Sequence, residues 1–143
     1  MEKMTQNQKI ANSFSHILGI GNDIVEINRI RNVFRRHPAR FLSKLLTPNE
    51  QAYCLKCKDP AGRLASRFAA KEAVAKAMGT GFGQSLSWLD IEITHDASGK
   101  PQVLLSKPLL EKYPNTLFHL SISHCQEYAT AIAIWVYNTE KGS

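Results

Sequence analysis

Between Asp59 and Gly79 the chain reads DPAGRLASRFAAKEAVAKAMG, and this stretch decides the fold. Asp59-Pro60 opens a helix, because proline suits a first turn where its missing N–H costs nothing. Gly79 closes it, because glycine takes the left-handed conformation that ends helices. The alanines between them favour helix throughout. At 100° per residue, Ala61, Leu64, Ala65, Phe68, Ala69 and Ala75 fall on one arc that should face a core. Glu72 falls near the middle of that arc, with Lys76 one turn further along its row and Arg63 and Arg67 on the other side. A carboxylate in an apolar stripe is costly unless it is paired or holds a cation. Two readings stand. One is a Glu72–Lys76 pair at the favourable i, i+4 spacing. The other is a site in which Glu72 is an oxygen ligand to a metal and Lys76 meets a phosphate.

Upstream, Ile17 to Ile20 reads as a short buried strand running into a Gly-rich turn, Gly19-Ile20-Gly21, with Asp23 at its exit. Asp23 is either an Asx turn or helix cap, or a second carboxylate that shares a Mg²⁺ with Glu72. A helix over Val25 to Phe34 follows, interrupted by Pro38. Thr47-Pro48-Asn49-Glu50 has the form of a capping box and starts another. Downstream the period switches to two. Leu89 to Thr94 and Gln102 to Leu105 read as a hairpin around the turn Asp96–Pro101, Pro108 to Tyr113 as a short helix, and Leu117 to His124 and Ala129 to Tyr137 as two strands. Helices fill the first half and strands the second, which predicts an α+β fold with a long helix on a mostly antiparallel sheet.

The chain has 143 residues, enough for one domain, here expected over 16–138 between a polar tail at 1–15 and a short tail at 139–143. No apolar run approaches the ~20 residues of a membrane span. The polar start and the odd count of three cysteines point to a cytoplasmic protein rather than a secreted disulfide scaffold. Eighteen basic against twelve acidic residues leave a net charge of +6. Residues 27–49 contain no acid and carry Arg29, Arg31, Arg35, Arg36, Arg40 and Lys44, which equal that surplus. This is either a solvated helix face or a docking surface for an acidic protein or a nucleic acid. Gly79-Thr80-Gly81 lets backbone approach a phosphate, or simply caps and turns. Cys54 and Cys57 lack two well-placed further zinc ligands and read as inert thiols. Ser121-Ile122-Ser123-His124 ends a strand without the nucleophile elbow of a Ser–His hydrolase.

Gly19-Ile20-Gly21-Asn22-Asp23-Ile24-Val25-Glu26, followed by Arg67-Phe68-Ala69-Ala70-Lys71-Glu72-Ala73 and Lys76, resembles the paired signature of the 4′-phosphopantetheinyl transferases. The short length and the ending Ser121-Ile122-Ser123-His124 resemble the bacterial holo-[acyl-carrier-protein] synthase branch of that family. The likeness runs from about Leu18 to Val136. It implies the family's fold and a homotrimer with active sites between subunits. It also implies transfer of the phosphopantetheine arm of coenzyme A to a serine of apo-acyl-carrier protein, with adenosine 3′,5′-bisphosphate released, in support of fatty acid biosynthesis. By the same resemblance Asp23 and Glu72 bind Mg²⁺ and Lys76 contacts phosphate. Arg67 and His124 hold the nucleotide end, alongside the Gly79 and Gly81 loop. Arg29 and Arg36 dock the carrier protein. Glu72, directly or through a metal-bound water, is the candidate base for the serine proton. No membrane or nucleic-acid partner is expected.

Overall fold

The computed structural model describes residues 16–138, so both expected tails lie outside the described residues. Strand β1 (Ile17–Glu26) leads into helices α1 (Ile27–Arg36), α2 (Pro38–Leu45), α3 (Pro48–Cys54) and α4 (Ala61–Met78). A 3₁₀ turn (Trp88–Asp90) precedes β2 (Ile91–His95) and β3 (Pro101–Leu105), then α5 (Lys107–Lys112), β4 (Thr116–His124) and β5 (Tyr128–Tyr137). The strands form a three-stranded sheet in the order β1-β5-β4 and a separate β2-β3 hairpin. Every pairing is antiparallel. This is the α+β architecture expected.

The expected helix signals hold. Thr47 Oγ1 accepts from the Glu50 N–H, and Glu50 Oε1 accepts from the Thr47 N–H at 3.0 Å, closing the capping box. Gly79 ends α4 at φ 74°. Three expectations change. The first strand is not buried over Ile17 to Ile20, where Ile17, Leu18 and Ile20 are exposed, and it does not turn at Gly21 but runs on to Glu26, so Asp23 lies mid-strand, opposite Ala131. Pro38 does not simply interrupt a helix: it occupies the first turn of α2, where proline is tolerated. The one-arc picture of α4 also fails. The helix is buried on almost every side, with Arg67 and Lys71 among its buried residues and Glu72 only half-buried.

The core explains why. Helix α4 lies on the inner face of the sheet, which is lined by Ala129, Ala131 and Ala133 of β5 and by Gly19 and Gly21 of β1. A Cβ built on Gly19 would overlap the Ala77 carbonyl, and one on Gly21 the Ala73 carbonyl. These glycines therefore serve close strand–helix approach rather than a turn. Ile91 and Ile93 of the hairpin are fully buried as well.

Candidate active site

The close seam between β1 and α4 brings the first group of candidate residues together. Lys76 Nζ lies 3.1 Å from Asp23 Oδ1 and donates to the Asn22 carbonyl at 3.0 Å. The expected Glu72–Lys76 ion pair does not form: among the described residues Lys76 pairs with Asp23 instead. Glu72 stands one turn before Lys76. Its carboxyl is pushed above the ordinary range, first by burial and then by the neighbouring charge of Asp23, with Lys76 pulling the other way. A carboxyl whose charge is disfavoured by burial and by a neighbouring carboxylate is a fit for a divalent cation. Among the described residues no group of three or more His, Cys, Asp or Glu side chains is placed to hold a metal. The seam holds two carboxylates, Asp23 on β1 and Glu72 on α4.

Toward the start of α4 the walls of a second feature appear, a cavity of about 550 Å³. Arg63, Arg67, His95 and His124 line it, together with Tyr53 and Cys57. The guanidinium carbons of Arg63 and Arg67 sit 4.3 and 4.5 Å from the centre of the Tyr53 ring, and Arg63 also donates to the Tyr53 carbonyl at 2.7 Å. Stacking on one ring holds both cations at the cavity wall. Arg67 Nη2 lies 3.4 Å from His95 Nδ1. Burial, then Arg67 and Arg63, press the His95 pKa down. The expected pair Arg67 and His124 therefore meets here, joined by Arg63, Tyr53 and His95, which reading the sequence did not single out for this role. The clue was weak: Arg63 precedes Arg67 by one helical turn, and His95 closes a strand beside the Asp96–Pro101 turn.

Behind the cavity runs a buried polar network that the sequence reading also missed. Lys71 is fully buried, and its Nζ donates to Glu50 Oε1 at 2.6 Å, the Leu45 carbonyl at 2.6 Å and the Trp88 carbonyl at 3.1 Å. Glu50 Oε2 accepts from the Ile93 N–H at 3.0 Å and lies 3.9 Å from Arg67 Nε. One buried carboxylate thus faces two cations and ties α3, α4 and β2 together. Its role extends beyond the cap expected from Thr47-Pro48-Asn49-Glu50.

The remaining candidates stand apart from the cavity. Gly79 caps α4, with its N–H on the Lys76 carbonyl at 3.1 Å, and Gly81 follows at φ 62°. Neither lines the cavity of Arg67. Arg29 and Arg36 are exposed on α1, whereas Arg31 is tied to Asp59 at 3.0 Å. Cys54, Cys57 and Cys125 are free.

Comparison with known proteins gives this geometry a family. Residues 19–133 match the 4′-phosphopantetheinyl transferase superfamily. The chain is 56% identical over 118 residues to the holo-[acyl-carrier-protein] synthase of Protochlamydia amoebophila, covering 82% of this chain and 97% of that one. It is 52% identical to the Chlamydia muridarum protein of the same name, covering 82% and 94%. Among solved structures, a holo-(acyl-carrier-protein) synthase from Bacillus anthracis in complex with CoA (3′,5′-ADP) aligns at a TM-score of 0.74 and 40% identity, covering 85% of this chain and 98% of that one. The Helicobacter pylori synthase in complex with coenzyme A aligns at 0.75 and 37% identity, covering 81% and 98%. Sequence signature and fold agree with these matches, and the chain belongs to the 4′-phosphopantetheinyl transferase superfamily.

Proposed function

We propose that the chain moves the 4′-phosphopantetheine arm of coenzyme A onto a serine hydroxyl of an apo-acyl-carrier protein, releasing adenosine 3′,5′-bisphosphate and serving fatty acid biosynthesis. The observation that carries this reading is the convergence of Asp23, Glu72 and Lys76 at the β1–α4 seam of a chain in this family. The serine oxygen attacks the phosphorus that bears pantetheine, and the bond from that phosphorus to the bridging oxygen breaks. Negative charge builds on the phosphoryl oxygens and on the departing bisphosphate. Lys76 offsets that charge. Asp23 and Glu72 would hold Mg²⁺, which supplies Lewis-acid stabilisation of the same oxygens when bound. Glu72, with its carboxyl pushed upward, accepts the serine proton. Arg67 and His124, at the cavity, take the nucleotide end. The loop at Gly79 and Gly81 continues from Lys76 and brings backbone toward the phosphates.

The reading extends to partners and assembly. The exposed face of α1, with Arg29 and Arg36, suits an acidic carrier protein. The outer face of the main sheet exposes Ile20 and Ile24 at 65% each and Ile132 at 49%. Such a patch calls for a covering surface, and a homotrimer with active sites between subunits supplies one. A cytoplasmic location suits a protein with three free thiols. The test is intact-mass measurement of an apo-acyl-carrier protein incubated with the chain, coenzyme A and Mg²⁺, with an EDTA control. One phosphopantetheine added per carrier, lost with EDTA, is the expected result. No addition across several carriers, with the chain shown to be folded, overturns the reading.

A further inference from the structure

The Arg67 cavity contains a nucleophile that the transfer reaction leaves unused. Cys57 is free, half-buried and part of the cavity wall. Its surroundings are cationic, with Arg63, Arg67, His95 and His124 on the same space. The one acidic residue on that wall, Asp59, is already held by Arg31 at 3.0 Å. Arg67 is 3% exposed, and its Nε has no hydrogen-bond acceptor. Glu50, at 3.9 Å, is engaged by Lys71 and the Ile93 N–H. Arg63 and Arg67 put two guanidinium charges on a wall whose one carboxylate is already paired, which marks the cavity as a place for an anion.

The other two thiols differ. Cys54 is fully buried and pushed up to about 11, chiefly by desolvation, so it stays a neutral thiol. Cys125 is exposed at the turn after β4, and the cavity wall does not include it. Only Cys57 combines a reachable sulfur with a cationic enclosure.

We propose that Cys57 captures anionic low-molecular-weight disulfides drawn in by the cavity arginines, and that the resulting mixed disulfide closes the cavity to the nucleotide. The capture stands on the cavity alone, while its effect on transfer rests on the function proposed above. The Cys57 thiol loses its proton and the thiolate attacks one sulfur of R–S–S–R. A Cys57–S–S–R bond forms, the original S–S bond breaks, and R–S⁻ leaves and takes up the proton as R–SH. The disulfide is itself the oxidant and the step is reversible by added thiol. A space of about 550 Å³ admits a group of tripeptide size, and that group then occupies the room the nucleotide needs.

The test treats the full chain with oxidised glutathione, which is anionic, or with cystamine, which is cationic, and locates adducts by intact mass and peptide mapping. Cys125 serves as the internal reference. Cys57 is expected to prefer oxidised glutathione over cystamine by about tenfold more than Cys125 does, as field focusing in a charged cavity requires. Adenosine 3′,5′-bisphosphate at ten times its Kd should slow the Cys57 adduct about tenfold and leave Cys125 unaffected. Transfer activity should fall in step with the adduct and return with dithiothreitol. A Cys57→Ser variant should keep its own untreated rate under the same treatment. Adducts confined to Cys125, equal charge preference at both sulfurs, or no slowing by a nucleotide that calorimetry shows to bind overturns the proposal. Failure of the untreated chain to modify any carrier would count against the transferase reading instead, because the adduct and its charge preference are read by mass.

Discussion

At Glu72 the demands of stability and of chemistry oppose each other. Its carboxyl is pushed up by burial and by Asp23. A raised carboxyl favours the folded state while it is protonated. That contribution is fully present below the unfolded glutamate value, about 4.3, and is lost as pH rises through the folded one. Glu72→Gln removes the charge while keeping the shape. In EDTA the variant should therefore melt above the wild type near neutral pH, with the gap closing as pH falls toward 4. Mg²⁺ should raise the Tm of the wild type and leave that of the variant nearly unchanged, because one of two carboxylate ligands is gone. The same variant should lose transfer activity by about 100-fold or more. Normal turnover by Glu72→Gln would remove Glu72 from the site. The carboxylate was legible in the sequence because it broke an apolar helical pattern. Its partner was not. Lys76 is the obvious choice at i, i+4, yet its ammonium goes to Asp23, 53 residues away, because the strand passes close enough to offer a better acceptor.

Elements were legible where local chemistry decides them and illegible where packing does. The capping box at Thr47 and the glycine stop at Gly79 are local, and both ends fall where expected. The length of β1 is not local: pairing with β5 carries it past two glycines that read as a turn. Those glycines are needed for the approach of α4, so Gly21→Ala tests the seam directly. The added methyl meets the backbone of Ala73 and Ala77, which cannot swing aside. A cost of about 3 kcal/mol is expected, read as a fall in denaturation midpoint with an unchanged m-value. The loss should exceed that of Gly62→Ala, where a Cβ meets nothing within 4 Å. Glu50 binds three elements in another way. Its partners Lys71 and Ile93 are 21 and 43 residues distant, beyond any periodic pattern. Glu50→Ala would strand the fully buried Lys71 ammonium, a loss of about 3–5 kcal/mol. Glu50→Ala with Lys71→Met should recover part of it, and a double-mutant cycle measures how much.

On the scale of the whole molecule, two surfaces are left over after the core is built, and they differ in chemistry. The outer sheet face is apolar, and the helical face around Arg29 and Arg36 is basic and exposed. Alternation from Leu89 to Ile93 marked the hairpin's buried face, but β5 is apolar on both faces, and which surface covers its outer face lies outside any single chain's pattern. Ile24→Lys places a charge on that face; under the proposed homotrimer it should shift sedimentation toward monomer, with loss of activity at the same concentration if each site needs two subunits. The basic face obeys a different law. Exposed charges on both partners steer encounter, and salt screens them within about 8 Å at physiological ionic strength. The apparent KM for the carrier protein should therefore rise with salt while the KM for coenzyme A, whose proposed site is the partly enclosed Arg67 cavity, moves less. Reversing charge at Arg29→Glu and Arg36→Glu together should raise the carrier KM by about tenfold or more and flatten its salt dependence. Far-ultraviolet dichroism and the coenzyme A KM should stay near wild type, because neither side chain reaches the cavity or the core. A doubled variant that kept the wild-type carrier KM at low salt would move the docking surface off α1 and leave the +6 surplus without a partner.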